Sequence, residues 1–321
     1  MPALLSLLGF RPLADWWHKD DPPPPPITTG TASLLLVLYA LAYFLPFYAS
    51  STTRPSPTLS RDAPSVIRAR IRSVTLTCVL CTLSTFAILS TTAGAPPPTI
   101  LHLTGIWPAA VVDALRALLL TALLFAGPLF HALVVESGYR PSAWTAALAE
   151  VWTEWPAWRN LVAGPVTEEV LFRSASVPLM LVARTSLAKT ILLSPIIFGL
   201  AHVHHFYEFR LSHPQVPPAA ALARSVVQFA YTTLFGAYAT FLFLRSGSLL
   251  AVCLVHTFCN CMGLPKVWGR IERPSSPRAE TSILWTVTYY TLLVAGAVAW
   301  YRNLWILTES GNSLVPSAAF A

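Results

Sequence analysis

The feature that most constrains the fold of this chain is a series of long apolar runs between residues 32 and 300. A transmembrane helix needs about 20 mostly apolar residues to cross the hydrocarbon core of a bilayer. Eight runs approach that length: Ala32–Ala49, Ile71–Ser90, Ala109–Val135, Leu161–Ala183, Leu187–Phe206, Ala221–Leu244, Leu249–Leu264 and Ile283–Trp300. Only 11% of the residues are charged, whereas soluble domains carry roughly 25%. The sequence therefore predicts an all-α, polytopic transmembrane helical bundle of about eight spans.

The chain divides into three parts by composition. Residues 1–30 contain a short apolar start and a polyproline run, which predict a disordered or interfacial lead-in with a stiff spacer. Residues 31–305 hold the apolar runs and form the predicted transmembrane domain. Residues 306–321 are the C-terminal tail.

The basic residues are unevenly distributed over the two sides of the predicted bundle. Thirteen lie in the loops after the first, third, fifth and seventh runs, and six lie on the opposite side. The positive-inside rule places the richer side in the cytosol and both termini on the far side. In a membrane protein the net charge of +7 reports orientation, so we expect a lipid bilayer and no nucleic acid as partner.

The five cysteines, Cys78, Cys81, Cys253, Cys259 and Cys261, all fall inside apolar runs. Cys78 and Cys81 form a CxxC without a second pair, so a zinc knuckle or redox site is not favoured. Small buried packing residues are the better interpretation. Cys259 follows His256 by three residues, but no neighbour favours its thiolate, so a cysteine nucleophile is not favoured.

Ionisable and amide side chains interrupt three of the apolar runs. They are Glu168, Glu169 and Arg173 in the fourth run, His202, His204 and His205 in the fifth, and His256 and Asn260 in the seventh. Such groups are costly inside a membrane and usually face a bundle interior or a wet cavity. We therefore expect these side chains to mark a functional site.

Helical geometry sorts these side chains into faces. Residues four apart share a face and adjacent residues point about 100° apart. Glu169 and Arg173 can pair, whereas Glu168 has no partner within its own helix. A free carboxylate with His202, His256 and Asn260 would supply a base for water and donors for an oxyanion.

Three functions stay open from the residues alone: a hydrolase, a transporter with a proton pathway, and a non-catalytic scaffold. A metal site is possible but not demanded, because the chain has no HExxH, whose two histidines share a helix face. Asp113 and Arg116, three apart in the third run, are interpreted as a structural pair.

Three motifs, taken together, resemble a known family. They are Glu168-Glu169-x-x-x-Arg173, Phe198-x-x-x-His202 and His256-x-x-x-Asn260, in this order and each in an apolar run. The stretches "RNLVAGPVTEEVLFR", "FGLAH" and "HTFCN" carry the likeness. They resemble the type II CAAX prenyl endopeptidases, or Ras-converting enzymes, and "TTRPSPTLSRDAPSVIRARIRSV" is similar to the eukaryotic, fungal members. The core of the resemblance covers residues 159–264.

The resemblance implies a specific activity. The family lies in the membrane of the endoplasmic reticulum as multi-pass proteins, with an active site open to the cytosol. Its members remove the last three residues from prenylated CAAX proteins such as Ras-type GTPases and fungal mating pheromone. Its members are regarded as glutamate proteases that use neither metal nor cofactor.

The resemblance also assigns roles to residues. Glu168 would activate water together with His202, and His256 and Asn260 would stabilise the oxyanion. Glu169, Arg173 and Phe198 would support the site. Two alternatives remain: the same cleavage by a metal-bound water, and a scaffold or transporter of the wider family.

Overall fold

The structure, a computed structural model, describes residues 24–56, 58–136, 141–273, 280–281 and 283–320. The first 23 residues of the predicted lead-in lie outside this part. The α-helices are α1 Thr29–Phe44, α2 Pro46–Ala49, α3 Pro64–Thr91, α4 Pro97–Leu103, α5 Val111–Leu124, α6 Ala126–Phe130, α7 Pro141–Thr153, α8 Trp155–Trp158, α9 Gly164–Glu169, α10 Val177–Val182, α11 Leu187–Ala201, α12 His204–Ser212, α13 Pro218–Ser246, α14 Leu249–Met262 and α15 Ile283–Leu307.

Short irregular elements join these helices. Turns of π-helix occupy His131–Glu136, Arg159–Ala163 and Val170–Ala175, and a 3₁₀ turn occupies Ser317–Phe320. Two-residue strands, Glu272–Arg273 and Glu280–Thr281, pair antiparallel. The fold is helical throughout its described bundle, which confirms the predicted fold class.

The described residues contain fewer candidate membrane spans than the predicted eight. Within the described residues, five helices are long and apolar enough to cross a membrane: Thr29–Ala49, Pro64–Thr91, Leu187–Ser212, Pro218–Ser246 and Ile283–Leu307. A sixth is present if α5 and the Ala126–Glu136 segment count together, although they meet at a bend of 81°. The protein is thus a multi-pass membrane protein, but a count of eight is not confirmed.

Two predicted spans are not among these helices, for physical reasons. Helix α14 has 14 residues, which at 1.5 Å per residue gives about 21 Å, short of the roughly 30 Å hydrocarbon core. The fourth run carries Glu168, Glu169 and Arg173, and two π-helical turns divide it into short segments. Both runs are helical, and both contribute to the site described below.

Helices α11 and α13 cross at close range in the middle of the bundle. A Cβ atom on Gly199 of α11 would lie 2.2 Å from Thr233 Oγ1 and 3.1 Å from the Phe229 ring of α13. Only glycine allows this approach, which brings the C-terminal part of α11 against the centre of α13. The end of α11 carries one of the site histidines.

The C-terminal tail packs on the bundle. Leu314 and Val315 are buried in the same apolar cluster as Phe243 and Val252. The Leu314 amide donates to the Leu244 carbonyl at 2.9 Å. The tail is therefore part of the core at the end of the molecule where α13 and α15 finish.

Asp113, which lies on α5, also contacts the C-terminal tail. The predicted Asp113–Arg116 pair is present, at 4.0 Å between Oδ1 and Nη1. Closer contacts reach Asp113 Oδ2 from Ser310 Oγ at 2.7 Å and from Asn312 Nδ2 at 3.1 Å. Asp113 thus serves the structure by accepting hydrogen bonds from the tail.

Candidate active site

The helical stretch from Arg159 to Val182 carries both glutamates of the site. Two π-helical turns, Arg159–Ala163 and Val170–Ala175, flank α9. Such turns are rare and frequently occur at functional sites. Pro165 directly follows the first π-helical turn and, because it has no N–H to donate, interrupts the backbone hydrogen bonds of the stretch at this point.

Glu169 and Arg173 form a buried ion pair. Arg173 Nη1 donates to Glu169 Oε1 at 2.9 Å, and the two side chains are 0% and 1% exposed. The pair predicted from the four-residue spacing is therefore confirmed. Buried charges in this setting need a partner, because removing one leaves the other unpaired in a low dielectric.

Arg173 is enclosed by α11 and α13. Its Nη2 donates to the Gly236 carbonyl at 3.2 Å, and its guanidinium lies 4.7 Å from the Phe198 ring centroid and 5.8 Å from that of Phe235. A Cβ on Gly236 would lie 3.2 Å from Nη2 and 2.9 Å from Pro195 Cβ. A glycine in α13 thus leaves room for the guanidinium.

Glu168 points to a different environment from its neighbour. Its side chain is 20% exposed and lines a cavity. Its Oε2 lies 3.9 Å from His202 Nε2 and 3.8 Å from His256 Nε2. These distances exceed a direct hydrogen bond and are of the length that a bridging water spans.

Both histidines are oriented by their Nδ1 atoms. His202 Nδ1–H donates to the Phe198 carbonyl at 2.9 Å, and His256 Nδ1–H donates to Glu169 Oε1 at 2.6 Å. The carbonyl and the carboxylate can only accept, so the partners assign the proton to Nδ1 in each ring. The Nε2 atoms of both rings are thereby directed at Glu168.

Asn260 lies one turn after His256 on α14 and lines the same cavity. Its Nδ2 donates to the Asn160 carbonyl at 2.9 Å, which leaves its second N–H for another acceptor. The described contacts give it no hydrogen bond to Glu168, His202 or His256. Asn260 therefore stands at the edge of the cluster.

The cavity around these residues has a volume of about 1040 Å³. At one end it is lined by Arg61, Arg70 and Arg159, and we name this the basic end. At the other end its lining includes Phe241 near the end of α13 and Leu304 near the end of α15. The cavity thus joins a charged region and an apolar region, with Glu168 in its wall.

The cluster His204, His205 and Glu208 has its possible ligand atoms within 4.8 Å of one another. Glu208 already accepts from His205 Nδ1 at 3.0 Å and pairs with Arg70 at 2.7 Å and Arg61 at 3.3 Å. Two guanidinium groups at the same carboxylate repel a metal cation. The cluster is therefore best interpreted as an ion-pair network.

The sequence pattern selected the residues that the structure brings together around Glu168, but it missed part of their surroundings. Phe235, 4.5 Å from His256 between ring centroids, has no charge or motif to mark it. The same holds for the Gly236 carbonyl. The basic end lies partly in the loop before α3, and the signal that could have revealed it is the density of arginines between residues 54 and 72.

The family model "Type II CAAX prenyl endopeptidase Rce1-like" matches residues 150–262, the part of the chain that carries all three motifs. No solved structure matches this chain.

Curated relatives match over much longer stretches. The "Probable CAAX prenyl protease 2" of Schizosaccharomyces pombe is 37% identical and is aligned over 87% of this chain and 94% of its own length. The "CAAX prenyl protease 2" of Homo sapiens is 36% identical over 67% of each chain, and that of Arabidopsis thaliana is 46% identical over 35% of this chain and 36% of its own. The chain therefore belongs to the Rce1-like family of type II CAAX prenyl endopeptidases and is a multi-pass membrane protease.

Proposed function

We propose that this protein removes the last three residues from prenylated CAAX proteins by means of a water molecule activated by Glu168. The observation that carries the proposal is the convergence of two histidine Nε2 atoms on one partly exposed carboxylate, at 3.8 and 3.9 Å. Each histidine is held by a hydrogen bond at its other nitrogen. Positioned groups of this kind are what general acid–base catalysis requires.

In the proposed reaction, water binds between Glu168 and His202. Its oxygen attacks the carbonyl carbon of the prenylated cysteine while Glu168 takes one of its protons. When the C–N bond breaks, this proton passes to the amine of the leaving tripeptide. The products are a prenylcysteine carboxylate and a free tripeptide.

The oxyanion that forms in this reaction needs hydrogen-bond donors. The proposed donors are His256 and Asn260. Donation from His256 Nε2 requires the doubly protonated ring, because its Nδ1–H is already given to Glu169. Glu169 is then the counter-ion of that ring as well as of Arg173, and Asn260 contributes the N–H that Asn160 does not use.

The cavity supports a lipidated substrate. A prenyl chain stays in an apolar environment while its adjacent peptide must meet water. The apolar lining, which includes Phe241 and Leu304, suits the lipid, and the region around Glu168 suits the peptide. The proposed substrates are prenylated proteins such as Ras-type GTPases and fungal mating pheromone.

The proposed location is the endoplasmic reticulum membrane, with the active site reached from the cytosol. The positive-inside rule supports this orientation, because Arg61, Arg70 and Arg159 lie together at the basic end of the cavity.

Paired peptides test the proposal. Purified protein in lipid vesicles is given a fluorogenic farnesylated CAAX peptide and its unprenylated twin. The farnesylated peptide should be cleaved between the lipidated cysteine and the next residue. Equal turnover of the twin would contradict the role of the membrane-embedded cavity, and no cleavage of either would favour a scaffold or transporter.

The same cleavage by a metal-bound water is the second candidate mechanism, with Glu168, His202 and His256, whose side chains converge at 3.8 and 3.9 Å, as the ligands. Dialysis against a strong chelator followed by metal analysis separates the two. We expect activity to persist without stoichiometric zinc. Activity that returned only on addition of zinc would support the metal mechanism.

A further inference from the structure

The basic end of the cavity holds more positive than negative charge. Three guanidinium groups, those of Arg61, Arg70 and Arg159, line it, and the carboxylates paired with them are Asp62 and Glu208. The three arginines thus exceed their two carboxylate partners by one charge. An anion that enters this end of the cavity meets a favourable potential.

Two of the arginines are committed to the structure. Arg70 donates from Nε and Nη2 to the Thr53 carbonyl at 3.1 and 2.8 Å and pairs with Glu208 at 2.7 Å. Arg61 reaches the other oxygen of Glu208 at 3.3 Å. Glu208 is therefore neutralised from two sides, and these contacts fix the wall of the basic end.

Arg159 has donors left over. Its Nη1 contacts Asp62 Oδ1 at 2.8 Å and the Arg61 carbonyl at 3.3 Å, and its Nε donates to Asn160 Oδ1 at 3.0 Å. The described contacts include none to its Nη2, and its side chain is 20% exposed. Because guanidinium offers five N–H donors in a planar fork, Arg159 can donate hydrogen bonds to a further carboxylate.

The distance between Arg159 and Glu168 fits the length of an extended tripeptide. The two residues line the same cavity and are nine apart on one helical stretch that begins with a π-helical turn, so they are separated by at most about 13 Å along the axis. Three extended residues span about 10 Å, and a long arginine side chain covers the difference. A peptide bond held at Glu168 would thus place the carboxylate three residues downstream near Arg159.

We propose that Arg159 binds the free C-terminal carboxylate of the substrate and so selects a peptide with three residues after the cleaved bond. This inference rests on the proposed function, because it takes Glu168 as the site of cleavage. The ligand class is a peptide α-carboxylate. Arg159 would recognise it by charge and by its fork of donors, whatever the side chains of the tripeptide.

The first test changes the substrate only. Wild-type protein receives three farnesylated peptides: the free acid, the C-terminal amide, and a free acid extended by one residue. Hydrogen bonds to a charged group contribute roughly tenfold to hundredfold in binding. We expect kcat/KM of the amide and of the extended acid to fall by about that factor relative to the three-residue acid.

The second test changes Arg159. In Arg159→Gln the difference in kcat/KM between acid and amide should disappear, mainly through KM for the acid, and Arg159→Lys should restore part of it. The matched control is Arg68→Gln, because the Arg68 guanidinium lies 5.3 Å from the Trp155 ring centroid and does not line the cavity. This control should keep the wild-type preference for the acid.

The outcomes separate this inference from the function on which it rests. Equal cleavage of acid and amide by the wild type would overturn the inference and leave the proposed function standing. Failure to cleave the three-residue acid at all would contradict the proposed function itself. A preference that survives Arg159→Gln would overturn the assignment to Arg159. If that variant does not fold, the substrate comparison in the wild type still decides whether the protein recognises the C-terminal carboxylate of the substrate.

Discussion

Glu168 and Glu169 are adjacent in the chain but lie in different environments. Glu169 is fully buried and its Oε1 accepts from both Arg173 and His256. Glu168 is partly exposed and lines the cavity. A carboxylate whose charge is compensated by an arginine is a poor base, whereas one beside a cavity can bind and deprotonate water.

The first prediction concerns Glu168. Glu168→Gln keeps the shape of the side chain and removes the base, so cleavage should fall by about 10²- to 10⁴-fold with an unchanged melting temperature. Specific activity and thermal unfolding in the same preparation check this. An unstable Glu168→Gln protein would reverse the assignment of the two glutamates.

The second prediction concerns Glu169. Glu169→Gln leaves Arg173 buried without a counter-ion, which should destabilise the protein by roughly 3–5 kcal/mol and lower its abundance and melting temperature. Adding Arg173→Met removes the unpaired charge and should restore part of the stability but not the activity, because His256 still lacks its carboxylate. A folded, inactive Glu169→Gln protein with the wild-type melting temperature would contradict this.

The third prediction concerns the cysteines. Cys259 lines the cavity beside Asn260, so a cysteine nucleophile deserves a direct test. Replacement of all five cysteines by Ala or Ser should leave cleavage of the farnesylated peptide within a few-fold of wild type, because Glu168 supplies the base. Loss of activity in a protein that unfolds at the wild-type temperature would show that a thiol takes part.

At the scale of elements, hydropathy located the helices well and their ends poorly. Helix α3 begins at Pro64 and not at residue 71, because arginines stop an apolar run without stopping a helix. The fourth run was predicted as one span, but Val170–Ala175 is a π-helical turn. The contacts of Arg173 with Gly236 and Phe198, which lie on other helices, could not be predicted from the local pattern either.

The fourth prediction tests the crossing of α11 and α13. Gly199→Ala would place a Cβ 2.2 Å from Thr233 Oγ1, so the Thr233 side chain must rotate or the helices must separate, and we expect His202, three residues later, to shift. We expect a lower melting temperature and a loss of activity of about tenfold or more, since small displacements of catalytic groups can cost 10²-fold. Gly30→Ala is the control, because its nearest neighbour would lie 3.6 Å away.

At the scale of the whole molecule, the sequence predicted a helical membrane protein. It also predicted that the motif residues lie close together, because charged side chains in apolar runs face the interior of a bundle or a wet cavity. It did not predict that the C-terminal tail packs into the core at one end of the bundle. The tail after residue 306 was set apart by its position alone, yet Leu314 and Val315 are core residues. Their burial depends on contacts between residues more than 60 apart, such as Leu314 with Leu244.

The fifth prediction tests the packing of the C-terminal tail. Leu314→Ala removes a buried side chain that is 2% exposed, and such changes cost about 2–5 kcal/mol. The melting temperature of the purified protein should fall accordingly, while KM for the farnesylated peptide should stay unchanged. Ile306→Ala, at a side chain that is 65% exposed, is the matched control and should unfold near the wild-type temperature. Equal effects of the two changes would contradict a structural role for the tail.

The shortness of α14 has a consequence for the bilayer thickness that suits this protein. With only 14 residues, the helix that carries His256 is shorter than the hydrocarbon core, so its ends are covered by protein or water or the lipid beside it thins. Hydrophobic mismatch of this kind sorts proteins among membranes, and the bilayer of the endoplasmic reticulum, at about 27 Å, is several ångströms thinner than the plasma membrane. Vesicles made from lipids with shorter acyl chains should therefore support faster turnover than thick, sterol-rich ones.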